Sequence, residues 1–180
     1  AAVDAMAKRV HEEFGPVDVV VNNAGITLDT RFADMDREQW ETVIDVNLTG
    51  AFTTTKTFFA DLKAAEEGRL INISSVIGRQ GNYGQTNYAA AKSGLFGFTR
   101  SIAKELAPHD STANCVAPGY TRTEMVESVR EDIKDSIRED IPLDRFAEVE
   151  EIAAVVGFLA GEDASYVTGE VIDANGGMAP

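Results

Sequence analysis

Ser75, Tyr88 and Lys92 are residue types that can move a proton, and the last two stand within the stretch QTNYAAAK. If that stretch is helical, Tyr88 and Lys92 are four residues apart and share a face, with only alanines between them. A phenol has a pKa near ~10 and is a poor acid–base group at neutral pH. An ammonium beside it favours the phenolate and lowers that pKa. The alanines leave room for a flat ligand against the helix, and Ser75 can hydrogen-bond a substrate oxygen. Together the three side chains can pass a proton to or from an alcohol or ketone oxygen. They supply no hydride, so a redox reaction here needs a cofactor such as a nicotinamide. A tyrosine–lysine pair at this spacing is also common on plain surface helices, so the elements around it must decide.

Short apolar runs alternate with amphipathic stretches. Val17–Asn22, Arg69–Ser74, Thr112–Val116 and Val167–Asp173 read as strands of a buried parallel sheet. Ala5–Phe14, Arg37–Lys63, Asn87–Leu106 and Val149–Leu159 read as helices, with Trp40, Val43, Ile44 and Leu48 on one side of the long second one. Residues 124–140 read as a charged helix or lid. Strands separated by helices imply right-handed βαβ units and an open α/β sheet. Ligands of such sheets bind beyond the carboxyl ends of the strands. Those ends read NNAG (22–25), SSVIG (74–78) and APGYTRT (117–123), where small and polar residues let a ligand approach the backbone. Turns favour the same residues for structural reasons, but three such turns fall on one edge.

The balance of 30 acidic against 16 basic residues, net −14, disfavours nucleic acid and anionic membrane surfaces as partners. It suits a protein working at high salt, where counterions screen the self-repulsion, or an ordinary acidic cytoplasmic enzyme. No apolar run is long enough to span a membrane. Cys115, the only cysteine, cannot form an internal disulfide and reads as a buried, inert thiol. His11 and His109 have no companions at ligand spacing, so no metal site is expected.

NNAG, Asn47 within DVNLTG, the ordered set Ser75, Tyr88 and Lys92, and Pro118-Gly119 followed by threonine resemble the short-chain dehydrogenase/reductase family over essentially the whole chain. The resemblance implies a Rossmann-like, doubly wound parallel sheet and these roles. Tyr88 is the general acid in ketone reduction. Lys92 lowers its pKa and binds the nicotinamide ribose. Ser75 orients the substrate carbonyl, and Asn47 holds a water of the proton relay. Asn23, Ala24, Gly25, Tyr88 and Lys92 line the cofactor, NADP(H) or NAD(H), and Pro118, Gly119, Thr121 and Thr123 meet its nicotinamide end. Asn47 also reads as a helix-kink residue, and Thr121 and Thr123 as caps.

The loop GNYGQTNY and the PGY turn resemble the 3-oxoacyl thioester reductases, and within them the acetoacetyl-CoA reductases of polyhydroxyalkanoate synthesis. Ser75, Asn82, Tyr83, Gln85 and Tyr120 would then meet an acyl-CoA substrate. Residues 64–68 and 108–110 are acidic or neutral where carrier-protein-dependent relatives place basic residues, which favours CoA over acyl carrier protein. A homotetramer is implied, built on the two long helices and the last strand. The family's opening strand and glycine-rich phosphate turn have no counterpart. The GxxGxxG of residues 78–84 lies between Ser75 and Tyr88 and belongs to the substrate loop. Residues 1–180 are therefore expected to be the C-terminal two-thirds of a single reductase domain, with about 60 residues of the first βαβαβ half missing. The strand edge beside Val17–Asn22 would then be unpaired, and the chain alone would bind cofactor poorly. Two further readings remain: a sugar or secondary-alcohol dehydrogenase, and an inactive fragment that acts only in oligomerisation.

Overall fold

All four expected strands are present in the computed structural model, which describes residues 2–123, 126 and 130–179. They are β1 (Val19–Asn22), β2 (Arg69–Ile73), β3 (Thr112–Pro118) and β4 (Val171–Ala174), and they form one parallel sheet in the order β1-β2-β3-β4. The last strand is shorter than its apolar run, because a turn at Gly169 precedes it. The helices are α1 (Ala2–Phe14), α2 (Arg37–Ile44), α3 (Gly50–Ala64), α4 (Val76–Gln80), α5 (Thr86–Leu106), α6 (Glu131–Glu139) and α7 (Val149–Ala160). Of the helix expected over 124–140, the part at 131–139 is described; residues 124, 125 and 127–129 lie outside the described residues. The five-residue α4 had no sequence expectation.

Strand pleating sends alternate residues to opposite faces. Val20, Leu70 and Ala113 pack with Ala7, Phe58, Leu62 and Leu106 of α1, α3 and α5. Ile71, Ile73 and Val116 pack on the other face against Leu159 and Ala164, around α7. Helices thus cover both faces, as a doubly wound sheet requires. Leu62, Leu70, Leu106 and Leu159 are completely buried, each contributing roughly 1.5–3 kcal/mol by leaving water. Cys115 is completely buried too, and burial pushes its thiol up to about 11, which fits the expected inert role.

The long helix expected over Arg37–Lys63 begins at a capping box. Asp36 accepts from the Gln39 N–H at 2.7 Å, and the Asp36 N–H donates to Gln39 Oε1 at 3.0 Å. It is then interrupted by a π-helical turn, Asp45–Thr49, which joins α2 to α3 and carries Asn47. Of the four apolar residues expected on one side, only Val43 is fully buried, and Trp40 is 37% exposed. At the sheet's margin β1 pairs with β2 alone, and Val19 and Val21 are 39% and 43% exposed. A hollow of about 530 Å³ opens beside it, between Val21, Ile73 and the α7 residues Ile152, Ala153 and Val156.

Candidate active site

The carboxyl ends of β1, β2 and β3 surround a cleft of about 200 Å³, walled by Asn23, Gly25, Ser75, Tyr88, Lys92, Pro118 and Gly119 among others. The proton-moving trio and the ends of three strands therefore meet in one place. Ser75 is the N-cap of α4, and its Oγ accepts from the Ile77 N–H at 3.1 Å. With that lone pair engaged, its O–H is left to donate. Its interaction with Tyr88 acts to lower the phenol's pKa, against the larger effect of burial. Tyr88 opens α5, and its backbone N–H is held by the Asn87 side chain at 2.8 Å. Asn87 is completely buried and donates in turn to the carbonyls of Leu28 and Gln39.

Lys92 points from α5 into the same cleft. Its Nζ donates to the Ile73 carbonyl at 2.8 Å and lies 5.6 Å from the centre of the Tyr88 ring. Burial brings its pKa down to about 8. The lysine was expected to lower the phenol's pKa, and here the structure differs. Desolvation holds Tyr88 above its ordinary value, Asp29 and Tyr120 add to that, and the lowering contribution comes from Ser75. The physical reason is that the ammonium is aimed at a carbonyl rather than at the phenolic oxygen, and is itself desolvated. A phenol that keeps its proton suits a proton donor, the direction of ketone reduction.

Asn47 is buried, and both ends of its amide are used. Its Oδ1 accepts from the Ile26 N–H at 2.8 Å, and its Nδ2 donates to the Ile26 carbonyl at 2.9 Å. It therefore pins the NNAG turn to the π-helical turn. Kink residue and site residue are here the same thing, since π-turns expose backbone positions that a regular helix closes. Gly25 lies over this junction. A Cβ there would come 2.9 Å from Asn47 Oδ1 and 3.2 Å from Lys92 Nζ, so the bare backbone leaves a flat group free to approach.

Asn23, Gly25, Pro118 and Gly119 line the cleft, while Ala24 is exposed on the same turn. Thr121 and Thr123 line the neighbouring hollow, which shares Asn23, Ile73 and Pro118 with the cleft. The Thr121 hydroxyl also donates to the Gly119 carbonyl at 3.3 Å. The substrate-loop residues are less converged. Asn82 Nδ2 donates to Gln85 Oε1 at 2.9 Å, Tyr83 is 81% exposed, and Tyr120 is half-buried beside Phe146. The site also contains residues that the motifs did not single out, Asp29, Asn87 and the Ile73 carbonyl. A lone acid in a turn and an asparagine at a helix start carry no pattern, and a backbone acceptor has no sequence signal. Residues 64–68 and 108–110 lead into the amino ends of β2 and β3, opposite the cleft.

A family model described as enoyl-(acyl carrier protein) reductase matches residues 1–179. With the strand order and the cleft above, this places the chain plainly: it belongs to the short-chain dehydrogenase/reductase family. It is 47% identical over 174 residues to nodulation protein G of Azospirillum brasilense, covering 97% of the chain and 71% of that protein. It is 52% identical over 162 residues to the 3-oxoacyl-(acyl-carrier-protein) reductase FabG of Aquifex aeolicus, covering 90% and 65%. It is 49% identical over 178 residues to the acetoacetyl-CoA reductase of Acinetobacter sp. (strain RA3849), covering 99% and 71%. Among the described residues no helix is long and apolar enough to cross a membrane.

Proposed function

We propose that the chain is the C-terminal, catalytic part of an NADP(H)-dependent reductase that converts a 3-oxoacyl-CoA, with acetoacetyl-CoA as the type substrate, to the 3-hydroxyacyl-CoA. The observation that carries this reading is the convergence of Ser75, Tyr88 and Lys92 in one cleft, where burial raises the pKa of the Tyr88 phenol. The Ser75 hydroxyl donates to the substrate carbonyl oxygen and fixes its position. Tyr88 holds the proton that this oxygen takes, and Lys92 keeps a positive charge beside the developing alkoxide. The cleft suits the nicotinamide end of the cofactor. Asn23, Ala24, Gly25, Tyr88 and Lys92 would hold one side of it, and Pro118, Gly119, Thr121 and Thr123 the other. When bound, the cofactor supplies the hydride.

A 3-oxoacyl thioester as substrate is supported by two of the relatives above, one named for a CoA thioester and one for a carrier protein. The CoA form is favoured by the acidic or neutral residues 64–68 and 108–110, where an acidic carrier would be repelled. A homotetramer is supported by the exposed Phe52 and by the groove that Phe59, Phe98 and Ile102 form between α3 and α5. The assay is NADPH oxidation by the full-length protein with acetoacetyl-CoA and with acetoacetyl carrier protein, at low and molar salt. Faster turnover of the CoA ester is expected. Turnover of glucose or a simple secondary alcohol with neither thioester reduced would overturn the reading.

The pH dependence follows from Lys92. Its ammonium loses its proton through about pH 8, whereas Tyr88, raised above its ordinary value, stays protonated across that range. Reduction measured as kcat/KM is therefore expected to be flat at neutral pH and to fall with a one-proton slope above about pH 8. Stability moves the other way. A lysine with a depressed folded pKa adds stability above its unfolded value and loses it as pH falls through about 8. A rate profile that rises through pH 9 would show that the charged form of Lys92 is not needed.

A further inference from the structure

The turn after NNAG and the loop before Tyr88 are tied together by a set of bonds that the reductase chemistry does not itself require. Gln85 Nε2 donates to both oxygens of Asp29, at 3.0 and 2.9 Å. The Thr30 N–H donates to the Gly84 carbonyl at 2.8 Å, and Gln39 Nε2 donates to Thr30 Oγ1 at 3.1 Å. Asn82 secures the other end of the Gln85 amide. No lysine or arginine pairs with Asp29 among the described residues. Arg31 pairs with Asp34 at 2.8 Å, and Lys92 in the cleft is bonded to the Ile73 carbonyl. An uncompensated carboxylate therefore stands at the mouth of the cleft, and the substrate loop hangs from it.

We propose that Asp29 is a specificity-determining and positioning residue: it straps the loop of residues 81–85 over the cleft through Gln85, and its charge rejects free 3-oxo acids in favour of neutral 3-oxoacyl thioesters. This rests on the reductase reading above and deepens it. A free 3-oxo acid and its thioester share the reacting ketone. They differ two carbons away, where the acid carries a carboxylate and the thioester an uncharged carbonyl. The field of Asp29 reaches both Tyr88 and Tyr120, and that of Asp140 also reaches Tyr120. A substrate ketone held at Tyr88 in the cleft has its second carbonyl two carbons away, within reach of that field. There a carboxylate meets like charge from the exposed Asp29, and an ester does not.

The test compares acetoacetate with acetoacetyl-N-acetylcysteamine, a neutral thioester without the phosphates of CoA, in full-length wild-type protein, Asp29→Asn and Asp29→Ala. The thioester-to-acid ratio of kcat/KM is expected to fall on the order of tenfold in both variants. Hydrogen exchange at residues 82–86 is expected to quicken in Asp29→Ala but not in Asp29→Asn, which keeps an acceptor for Gln85. An unchanged ratio in Asp29→Asn, with the thioester still reduced, overturns the charge filter and leaves the reductase reading standing. Unchanged exchange in Asp29→Ala overturns the strap. A wild-type protein that reduces neither compound overturns the reductase reading and the filter with it.

Discussion

Tyr88→Phe in the full-length protein is expected to cut thioester reduction by about 10²–10⁴-fold, the usual contribution of a positioned acid–base group, while the protein stays folded. The substitution removes one oxygen. The ring remains against α5, Lys92 keeps its bond to the Ile73 carbonyl, and the helix start is still held by Asn87. The loss to stability is at most one side-chain interaction, that with Ser75, worth roughly 1 kcal/mol. The loss to chemistry is the acid whose proton the substrate oxygen takes: Ser75 is too weak an acid to give up its own, and Lys92 at about 8 is needed for its charge. The measurement is kcat with NADPH and acetoacetyl-CoA, paired with a thermal melt. Near wild-type turnover in a folded variant would dismiss Tyr88 as the acid.

Gly68→Ala is expected to cost about 3 kcal/mol of stability or more, at the upper end of what overpacking costs. The residue sits where α3 has ended and β2 begins, at the closed end of the sheet. A Cβ there would lie 2.2 Å from the Leu62 carbonyl oxygen and 2.6 Å from Ser111 Oγ. Neither neighbour can yield cheaply. Ser111 Oγ donates to that same Leu62 carbonyl at 2.7 Å and accepts from the Gly68 N–H at 3.2 Å. The Gly68 carbonyl receives the Thr112 N–H at 2.9 Å. Making room would break a buried polar knot joining α3, β2 and β3, where each orphaned group costs about 1–3 kcal/mol. Gly97 is the control. It is an exposed residue in α5 with nothing within 4 Å of its would-be Cβ. There alanine should raise stability by about 0.5–1 kcal/mol. Denaturant midpoints at constant slope decide, and equal midpoints for the two variants would refute the packing account.

The strands and the two long helices were legible because their signals are periodic and local: β-branched runs between glycines for Val17–Asn22 and Arg69–Ser74, and an apolar stripe for Asn87–Leu106. The positions of Ser75, Tyr88 and Lys92 around one cleft were legible as well, since strand ends and helix starts fix them. The electrostatics were not. The direction of the Tyr88 shift depends on where Lys92 Nζ points and on Asp29, a residue 59 positions away in sequence, and spacing encodes neither.

The π-helical turn at Asp45–Thr49 has a bearing on how this chain can change. A turn of that kind holds one residue more than a regular helix spanning the same distance, so α2 and α3 are out of phase by about 100°. Trp40, Val43 and Ile44 all precede the turn in α2, so within that apolar set the shift bears only on Leu48. The surplus residue is also what turns Asn47 toward Ile26. Restoring the regular helix by deleting one residue would rotate one half against the other, and either the core face of α3 or the hold on the NNAG turn would be lost. Exposed positions along this helix can drift; its length cannot.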